Sequence, residues 1–266
     1  MKNAGDCRPP VGNGLDRSEV PLPHLCEQGQ ALSLQPAETF GLEMRAGEPR
    51  PYTHIEHTHS PQDGVKIKIC GLSRSRDIEA VNAALPDFIG FVFAESRRRV
   101  SEEQARSLKA TLDSRITAVG VFVNAPAEQV ARLCEKGVID IAQLHGDEDE
   151  AYIARLKQLT GAPVIKAVRV QSAADILAAQ ALPCDGLLLD TFTPNAYGGS
   201  GRTFDYALIP PLEKPLFLAG GLNTQTLPAA LARHPYAVDI SSGAESDGVK
   251  DRRKIAELVA MVRGQG

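Results

Sequence analysis

From Val65 onward the chain repeats one pattern: a short apolar run, a polar or glycine-containing loop, and a stretch with the apolar spacing of a helix. The apolar runs are rich in Val, Ile, Leu and Phe, which is typical of parallel strands covered by helices. Capping residues such as Ser101 and Ser172 mark helix starts between the runs. The predicted strands are Lys66–Cys70, Phe88–Phe93, Thr117–Val123, Ile139–Leu144, Val164–Val168, Gly186–Leu189, Leu216–Ala219 and Ala237–Ile240.

Eight such strand–helix units in roughly 200 residues fit a (β/α)8 barrel, the TIM barrel, at the small end of its size range. A doubly wound open sheet is the competing α/β architecture, but it usually has five or six strands and often a glycine-rich turn after the first. The count therefore favours a single eight-stranded barrel over residues 65–266. In such a barrel the chemistry lies at the carboxyl ends of the strands and in the loops that follow them.

Residues 1–64 lack this pattern. They hold 8 of the 18 prolines, 4 of the 6 histidines and only two aromatic residues. So few large apolar side chains cannot offset the entropy cost of ordering the chain, and we predict a mostly disordered N-terminal extension. His54, His57 and His59 lie close together, but in a flexible polar tract they indicate weak metal binding at most, so no metal site is predicted.

Composition and charge narrow the class of protein. The net charge of -4 argues against a nucleic-acid partner, and no apolar run reaches the ~20 residues of a membrane span. Five scattered cysteines form no disulfide framework, which indicates a reducing, cytoplasmic environment. Neither a P-loop nor a GxGxxG motif is present, so no cofactor is predicted. We expect a monomer or a homodimer that acts on a small molecule.

Cys70 ends the first predicted strand. Alternation along the strand places Ile67 and Ile69 toward the helices and Lys68 and Cys70 inside the barrel. A thiol needs cationic neighbours to become a useful thiolate, and Lys68 can supply that charge. The alternative is that Cys70 is simply a small buried apolar residue. Cys134 and Cys184 are predicted to be structural.

Asp190 closes a strand of three leucines. A carboxylate at this position is either a general acid or base or the cap of a loop, and its place on the catalytic face of a barrel favours the first.

Three glycine-containing loops follow the last strands. TIM barrels often hold a phosphate there with backbone N–H groups, so we predict a phosphorylated substrate. Turn glycines without a ligand are the alternative reading. The candidate binding residues are Gly199, Gly201, Gly220, Gly221, Ser242 and Gly243.

Two further side chains follow strand ends. In the run Arg97–Arg99 one arginine can clamp a carboxylate, although such a run is more often a solvated loop. His145 either donates a hydrogen bond to the substrate or packs in the core. From the residues alone, the chain is predicted to be a cofactor-free isomerase or lyase that acts on a small phosphorylated substrate with a Cys70/Asp190 acid–base pair.

Eight sequence blocks resemble the phosphoribosylanthranilate isomerase family and occur in that family's order across residues 65–266. They are Lys68-Ile-Cys70-Gly71, Gly90-Phe-Val-Phe93, Gly120-Val-Phe-Val-Asn124, Gln143-Leu-His-Gly146-Asp-Glu148, Leu188-Leu-Asp190-Thr191, Gly198-Gly-Ser-Gly-Arg-Thr-Phe-Asp205, Leu218-Ala-Gly-Gly-Leu-Asn223 and Asp239-Ile-Ser-Ser-Gly243.

The resemblance implies an Amadori rearrangement in tryptophan biosynthesis, from N-(5-phosphoribosyl)anthranilate to 1-(2-carboxyphenylamino)-1-deoxyribulose 5-phosphate. It implies that Asp190 is the general acid, Cys70 the general base, and Arg98 the partner of the anthranilate carboxylate. The family often has Ser-Pro-Arg where this chain has Ser96-Arg97-Arg98. Another phosphate-binding barrel, such as a relative of indole-glycerol-phosphate synthase, and a catalytically inactive barrel that binds a partner are the alternatives.

Overall fold

Eight parallel strands form a closed barrel in which each strand pairs with the next along the chain and the last pairs with the first. The computed structural model describes Ile55, residues 64–191 and residues 203–264. The strands are β1 (Lys66–Cys70), β2 (Phe88–Val92), β3 (Thr117–Phe122), β4 (Ile141–Leu144), β5 (Val164–Val170), β6 (Gly186–Thr191), β7 (Leu216–Leu218) and β8 (Ala237–Ile240). The predicted barrel is confirmed.

Helices follow the strands, and their starts have the predicted chemistry. The Ser101 hydroxyl accepts a hydrogen bond from the Gln104 amide, and Ser172 and Asp175 form a capping box. The helices are α1 (Ser75–Ala84), α2 (Glu102–Lys109), α3 (Ala127–Glu135), α4 (Glu150–Leu159), α5 (Ala173–Gln180), α6 (Leu227–Leu231) and α7 (Arg252–Arg263). Within the described ranges, none of them is long and apolar enough to cross a membrane.

The connection between β6 and β7 departs from the predicted eight strand–helix units. Its described part, from residue 203 onward, holds a single 3-10 turn at Tyr206–Leu208 and no α-helix. A second short turn, Ser242–Ala244, follows β8 and leads into a small antiparallel hairpin of β9 (Glu245–Ser246) and β10 (Val249–Lys250). This hairpin precedes α7, so the chain after β8 carries additional charged side chains, Glu245 and Lys250.

The two faces of each strand enter different apolar layers. Ile67 and Ile69 belong to the outer layer between strands and helices, which also contains Leu258 of α7. The inner layer fills the barrel and contains Phe88 and Phe217, whose rings meet edge to face at 5.6 Å. Because β1 turns Ile67 and Ile69 outward, Lys68 and Cys70 point into the barrel, as their alternation predicted.

Ile55 lies in the segment predicted as a separate, disordered extension, yet its side chain is 4% exposed and belongs to the inner layer of the barrel. Its neighbours in that layer include Phe88, Phe217 and Tyr236. A boundary at residue 64 therefore leaves one core residue on the extension side. Apart from Ile55 and Gly64, the predicted disorder of residues 1–64 concerns positions outside the described residues.

Candidate active site

A cavity of about 320 Å³ opens where the carboxyl ends of the strands meet. A second cavity, of about 460 Å³, lies at the opposite end beside Lys214 and Tyr236 and contains none of the predicted site residues. Polar residues from six strand ends or the loops after them share the first cavity: Cys70, Arg98, Gln143, His145, Asp190, Gly220, Gly221, Asp239, Ser241 and Ser242. The prediction that strand-end side chains converge is therefore met by Cys70, Arg98, His145 and Asp190 together.

Cys70 stands on the β1 side of the cavity and is 8% exposed. Burial raises the pKa of its thiol, while the positive charges of Lys68 and Lys250 act in the opposite direction. The sulfur packs against Gly90 in β2, where any side chain would collide with it. The thiol therefore packs against the β2 backbone at Gly90 and lines the cavity.

Asp190 stands on the β6 side of the same cavity and uses its two oxygens differently. Oδ1 accepts a hydrogen bond of 2.8 Å from the backbone N–H of Thr191, and Oδ2 lies 3.3 Å from Nε2 of His145. The other ring nitrogen of His145, Nδ1, is 3.1 Å from the side-chain nitrogen of Gln143. With Gln143 as donor, Nδ1 accepts and the imidazole proton lies on Nε2, toward Asp190. Asp190 therefore caps the backbone after β6 with one oxygen and also lines the cavity as a carboxylate.

Arg98 reaches the cavity from the loop after β2 and is held from behind by Glu245. Its Nε and Nη2 donate to the two oxygens of Glu245 at 2.6 and 3.0 Å, which is a bidentate pair. Lys250 and Arg97 also donate to Glu245, at 2.7 and 2.6 Å. The Arg98 side chain passes over Gly71, whose φ of +83° and missing side chain leave the necessary space.

Glycines shape the part of the cavity near β7 and β8. Gly220 and Gly221 both have positive φ, +89° and +64°. Ser242 begins the turn Ser242–Ala244, so its N–H has no acceptor within that turn. Gly243 does not line the cavity; it packs against the carbonyl of Leu222, where a side chain would not fit. Gly199 and Gly201, also predicted to bind substrate, lie outside the described residues.

Two polar residues at other strand ends, Asn124 after β3 and Arg169 in β5, do not line the cavity. Nδ2 of Asn124 is 3.3 Å and Nη2 of Arg169 is 3.4 Å from Asp147 at the rim. Arg99 pairs with exposed Glu95, so among the three consecutive arginines Arg98 is the one that lines the cavity.

Sequence reasoning gave no role to Asp239, Gln143 or Glu245. Asp239 and Gln143 could have been found, since alternation along β8 and β4 turns both inward. Glu245 has no such signal because it lies beyond β8, in the hairpin.

The sequence model of one protein family, N-(5'-phosphoribosyl)anthranilate (PRA) isomerase, matches residues 67–261. The chain belongs to this isomerase family. A member from Lachnoclostridium phytofermentans is 47% identical over 209 residues, which cover 73% of this chain and 96% of that protein.

Solved structures of the isomerase family have the same fold. Phosphoribosyl anthranilate isomerase from Thermus thermophilus superposes with a TM-score of 0.68 at 35% identity and covers 76% of this chain and 100% of its own. Another phosphoribosyl anthranilate isomerase was solved in complex with reduced 1-(o-carboxyphenylamino)-1-deoxyribulose 5-phosphate; it has a TM-score of 0.62 at 30% identity and covers 75% of this chain and 99% of its own.

Proposed function

We propose that the chain catalyses the Amadori rearrangement of N-(5-phosphoribosyl)anthranilate to 1-(2-carboxyphenylamino)-1-deoxyribulose 5-phosphate, a step of tryptophan biosynthesis. The observation that carries the proposal is that one cavity is lined by a buried thiol, a buried carboxylate and an arginine. The substrate has a ring oxygen that must gain a proton, a C2 carbon that must lose one, and a benzoate carboxylate.

Asp190 is the general acid in this proposal. As the carboxylic acid it gives its proton to the ribose ring oxygen, the bond between that oxygen and C1 breaks, and the anthranilate nitrogen supplies electrons to form the protonated Schiff base. Asp190 lines the cavity, and its Oδ1 is held by the backbone N–H of Thr191. Nε2 of His145 lies 3.3 Å from Oδ2, on the same side of the cavity.

Cys70 is the general base in this proposal. Its thiolate removes the proton from C2 of the Schiff base, and the electrons of that C–H bond form the C1–C2 double bond while the nitrogen becomes neutral. The resulting enolamine tautomerises to the ketone. One acid and one base suffice, and neither step requires a cofactor. Cys70 from β1 and Asp190 from β6 reach the cavity from different parts of the barrel wall. Two separate positions are needed because one proton is given to the ring oxygen and the other is taken from C2.

Arg98 binds the anthranilate carboxylate, and the glycine-rich corner binds the phosphate. The amides near Gly220, Gly221, Ser242 and Gly243 belong to adjacent loops after β7 and β8, where barrels commonly bind a phosphate. Gly199 and Gly201 are proposed to complete this site from the loop after β6. The ligand in the related complex has both groups, a carboxyphenyl group and a 5-phosphate, which supports a cavity with two anion sites.

The test is turnover of freshly generated phosphoribosylanthranilate, followed by loss of its fluorescence. Wild type should turn the substrate over, and C70A and D190N should each lose more than about two decades of activity. C134A is the matched control, because Cys134 is also buried but packs in the outer layer, and it should keep wild-type activity. Activity unaffected by C70A or D190N would overturn the assigned roles. An inactive wild type would favour the inactive barrel.

A further inference from the structure

A buried ion pair lies next to Cys70 inside the barrel. Nζ of Lys68 is 3.0 Å from each oxygen of Asp239, and Lys68 is completely buried. The two residues face each other across the β1–β8 pairing, where Lys68 is the register partner of Asp239. A lysine without solvent would ordinarily lose its proton, but a carboxylate at this distance keeps it charged.

Lys68 and Cys70 lie two residues apart on the same inward face of β1. Asp239 is placed beside both, and it also lines the cavity with Cys70. The β1–β8 pair is fixed further along by a 3.2 Å hydrogen bond from the Ser241 hydroxyl to the Cys70 carbonyl. The ammonium group, the carboxylate and the thiol are therefore held in one rigid arrangement within two paired strands.

The other charged groups around Cys70 have partners of their own. Lys250 donates to Glu245 and to the Ser241 carbonyl, and Arg98 is bound by Glu245. Asp190 and His145 lie together at the β4 and β6 strand ends. Lys66 shares the strand and its inward face, but it lies at the other end of β1, where its Nζ donates to the Tyr236 hydroxyl at 2.9 Å. Lys68 is therefore the lysine of this face that lies next to Cys70.

We propose that Lys68 is a positioning residue that holds a positive charge beside the Cys70 thiolate, and that Asp239 limits the strength of that charge. The three groups form an electrostatic unit in which Lys68 favours ionisation of the thiol and Asp239 opposes it. The catalytic consequence rests on the proposed role of Cys70 as base, whereas the effect on the thiol itself does not.

The direction of each interaction follows from charge and burial. Burial raises the pKa of the Cys70 thiol, and the negative charge of Asp239 raises it too. The positive charges of Lys68 and Lys250 lower the pKa of the same thiol. For Lys68, burial lowers the pKa, but the carboxylate of Asp239 and the thiolate outweigh burial, so the pKa is raised. The carboxylate and the thiolate therefore both favour the charged form of Lys68.

The experiment follows alkylation of Cys70 by iodoacetamide against pH, read from the mass of the peptide that contains Cys70. This readout needs no turnover. K68M should move the midpoint of alkylation to higher pH by about one to three units, since it removes a cation beside the thiolate. D239N should move the midpoint to lower pH, because it removes the anion that offsets Lys68, while the thiolate that forms at Cys70 still favours the charged form of Lys68. Opposite shifts cannot arise from a merely structural disturbance of the site.

K166M is the matched control. Lys166 is also a buried lysine paired with a buried carboxylate, Glu148 at 2.9 Å, but it lies on β5 away from Cys70. Its alkylation midpoint should equal that of wild type. An unchanged midpoint in K68M, or the same shift in K166M, would overturn the proposal. If K68M fails to fold by circular dichroism, D239N decides: a lower midpoint supports the proposal, and an unchanged or higher one overturns it.

Turnover measurements separate this proposal from the assignment of Cys70 as base. If K68M and D239N shift alkylation as expected while C70A keeps its activity, the electrostatic unit exists but Cys70 is not the base. If C70A is inactive and the alkylation midpoints do not move, Cys70 is the base and Lys68 has no influence on it.

Discussion

Cys70 and Gly90 are register partners on neighbouring strands, and the sulfur of Cys70 occupies the space that a side chain at position 90 would need. A Cβ on Gly90 would lie 2.7 Å from Sγ of Cys70, closer than real Cβ atoms approach, and 3.1 Å from its Cα, which is also a tight contact. Gly90 is in the middle of β2, where glycine weakens a strand through its backbone entropy. Glycine at position 90 therefore weakens β2 but leaves the space that the thiol occupies.

G90A should displace the thiol and reduce kcat by about 10²-fold, the loss expected when a reacting group moves by about 1 Å. G186A is the control, because a Cβ on that β6 glycine would have its nearest contact at 3.4 Å, with the Pro215 carbonyl. Turnover and thermal unfolding are measured for both variants. Equal activity of G90A and G186A would show that the position of the sulfur does not depend on Gly90.

E245Q should raise KM about tenfold with a smaller change in kcat, since Glu245 holds Arg98 in position for the substrate carboxylate. The bidentate contact needs two acceptor oxygens, and glutamine keeps only one. E128Q, which changes a carboxylate paired with exposed Arg155, should leave KM unchanged. Steady-state kinetics give both constants. A fall in kcat alone would assign Glu245 a different role.

Glu245 also links stability to pH. Burial raises its pKa, but hydrogen bonds from Arg98 and Lys250 outweigh burial, so the pKa lies below its ordinary value. A depressed carboxyl pKa stabilises the fold above the unfolded-state value of about 4.3, and this stability is lost as the pH falls through the folded-state value. Below about pH 4.3 the free energy of unfolding, measured with urea, should therefore fall more in wild type than in E245Q. Parallel curves for the two proteins would contradict this linkage.

The rate at limiting substrate should increase with pH beyond the ordinary thiol pKa of about 8.5, because burial raises the pKa of Cys70 and only the thiolate accepts the proton. C134A should have the same profile, since burial holds the pKa of Cys134 at about 12 and its thiol lies outside the cavity. The measurement is kcat/KM from pH 6 to pH 10. A plateau below pH 7 would identify a base other than Cys70.

I55A should lower the free energy of unfolding by about 2 kcal/mol without changing kcat, because Ile55 is buried in the inner layer and does not line the cavity. L177A is the control, since Leu177 is 53% exposed and its truncation should cost less than about 0.5 kcal/mol. Urea unfolding measures both. The same stability for I55A and L177A would mean that Ile55 does not contribute to the core.

The barrel and the main site residues could be predicted from the sequence because both follow local rules. Strand alternation turned Cys70 inward, and the end of β6 located Asp190 at the mouth. The described part of the β6–β7 connection, from residue 203, holds no α-helix, and the sequence does not predict this because polar and glycine residues after β6 fit a loop or a helix start equally well. The partnership of Arg98 with Glu245 spans 147 positions in the sequence and depends on the hairpin after β8. No local pattern encodes such a contact.

Ile55 illustrates a second limit of local reasoning. The composition around it indicates disorder, and a single apolar residue in a polar segment gives no periodic signal. Its burial depends on the space between Phe88, Phe217 and Tyr236, which exists only after the barrel closes. The same limit applies to Cys70. The sequence around Cys70 predicts that it points inward, but the charge that acts on its thiol comes in part from Asp239 on the last strand.

The central claim, that Asp190 opens the ring and Cys70 removes the C2 proton, is tested most directly with substrate deuterated at C2. In D190N ring opening should limit the rate, so the isotope effect on turnover should vanish. In C70S proton removal should limit the rate, so a full primary isotope effect should appear. The same isotope effect in both variants, or the reverse assignment, would contradict the account.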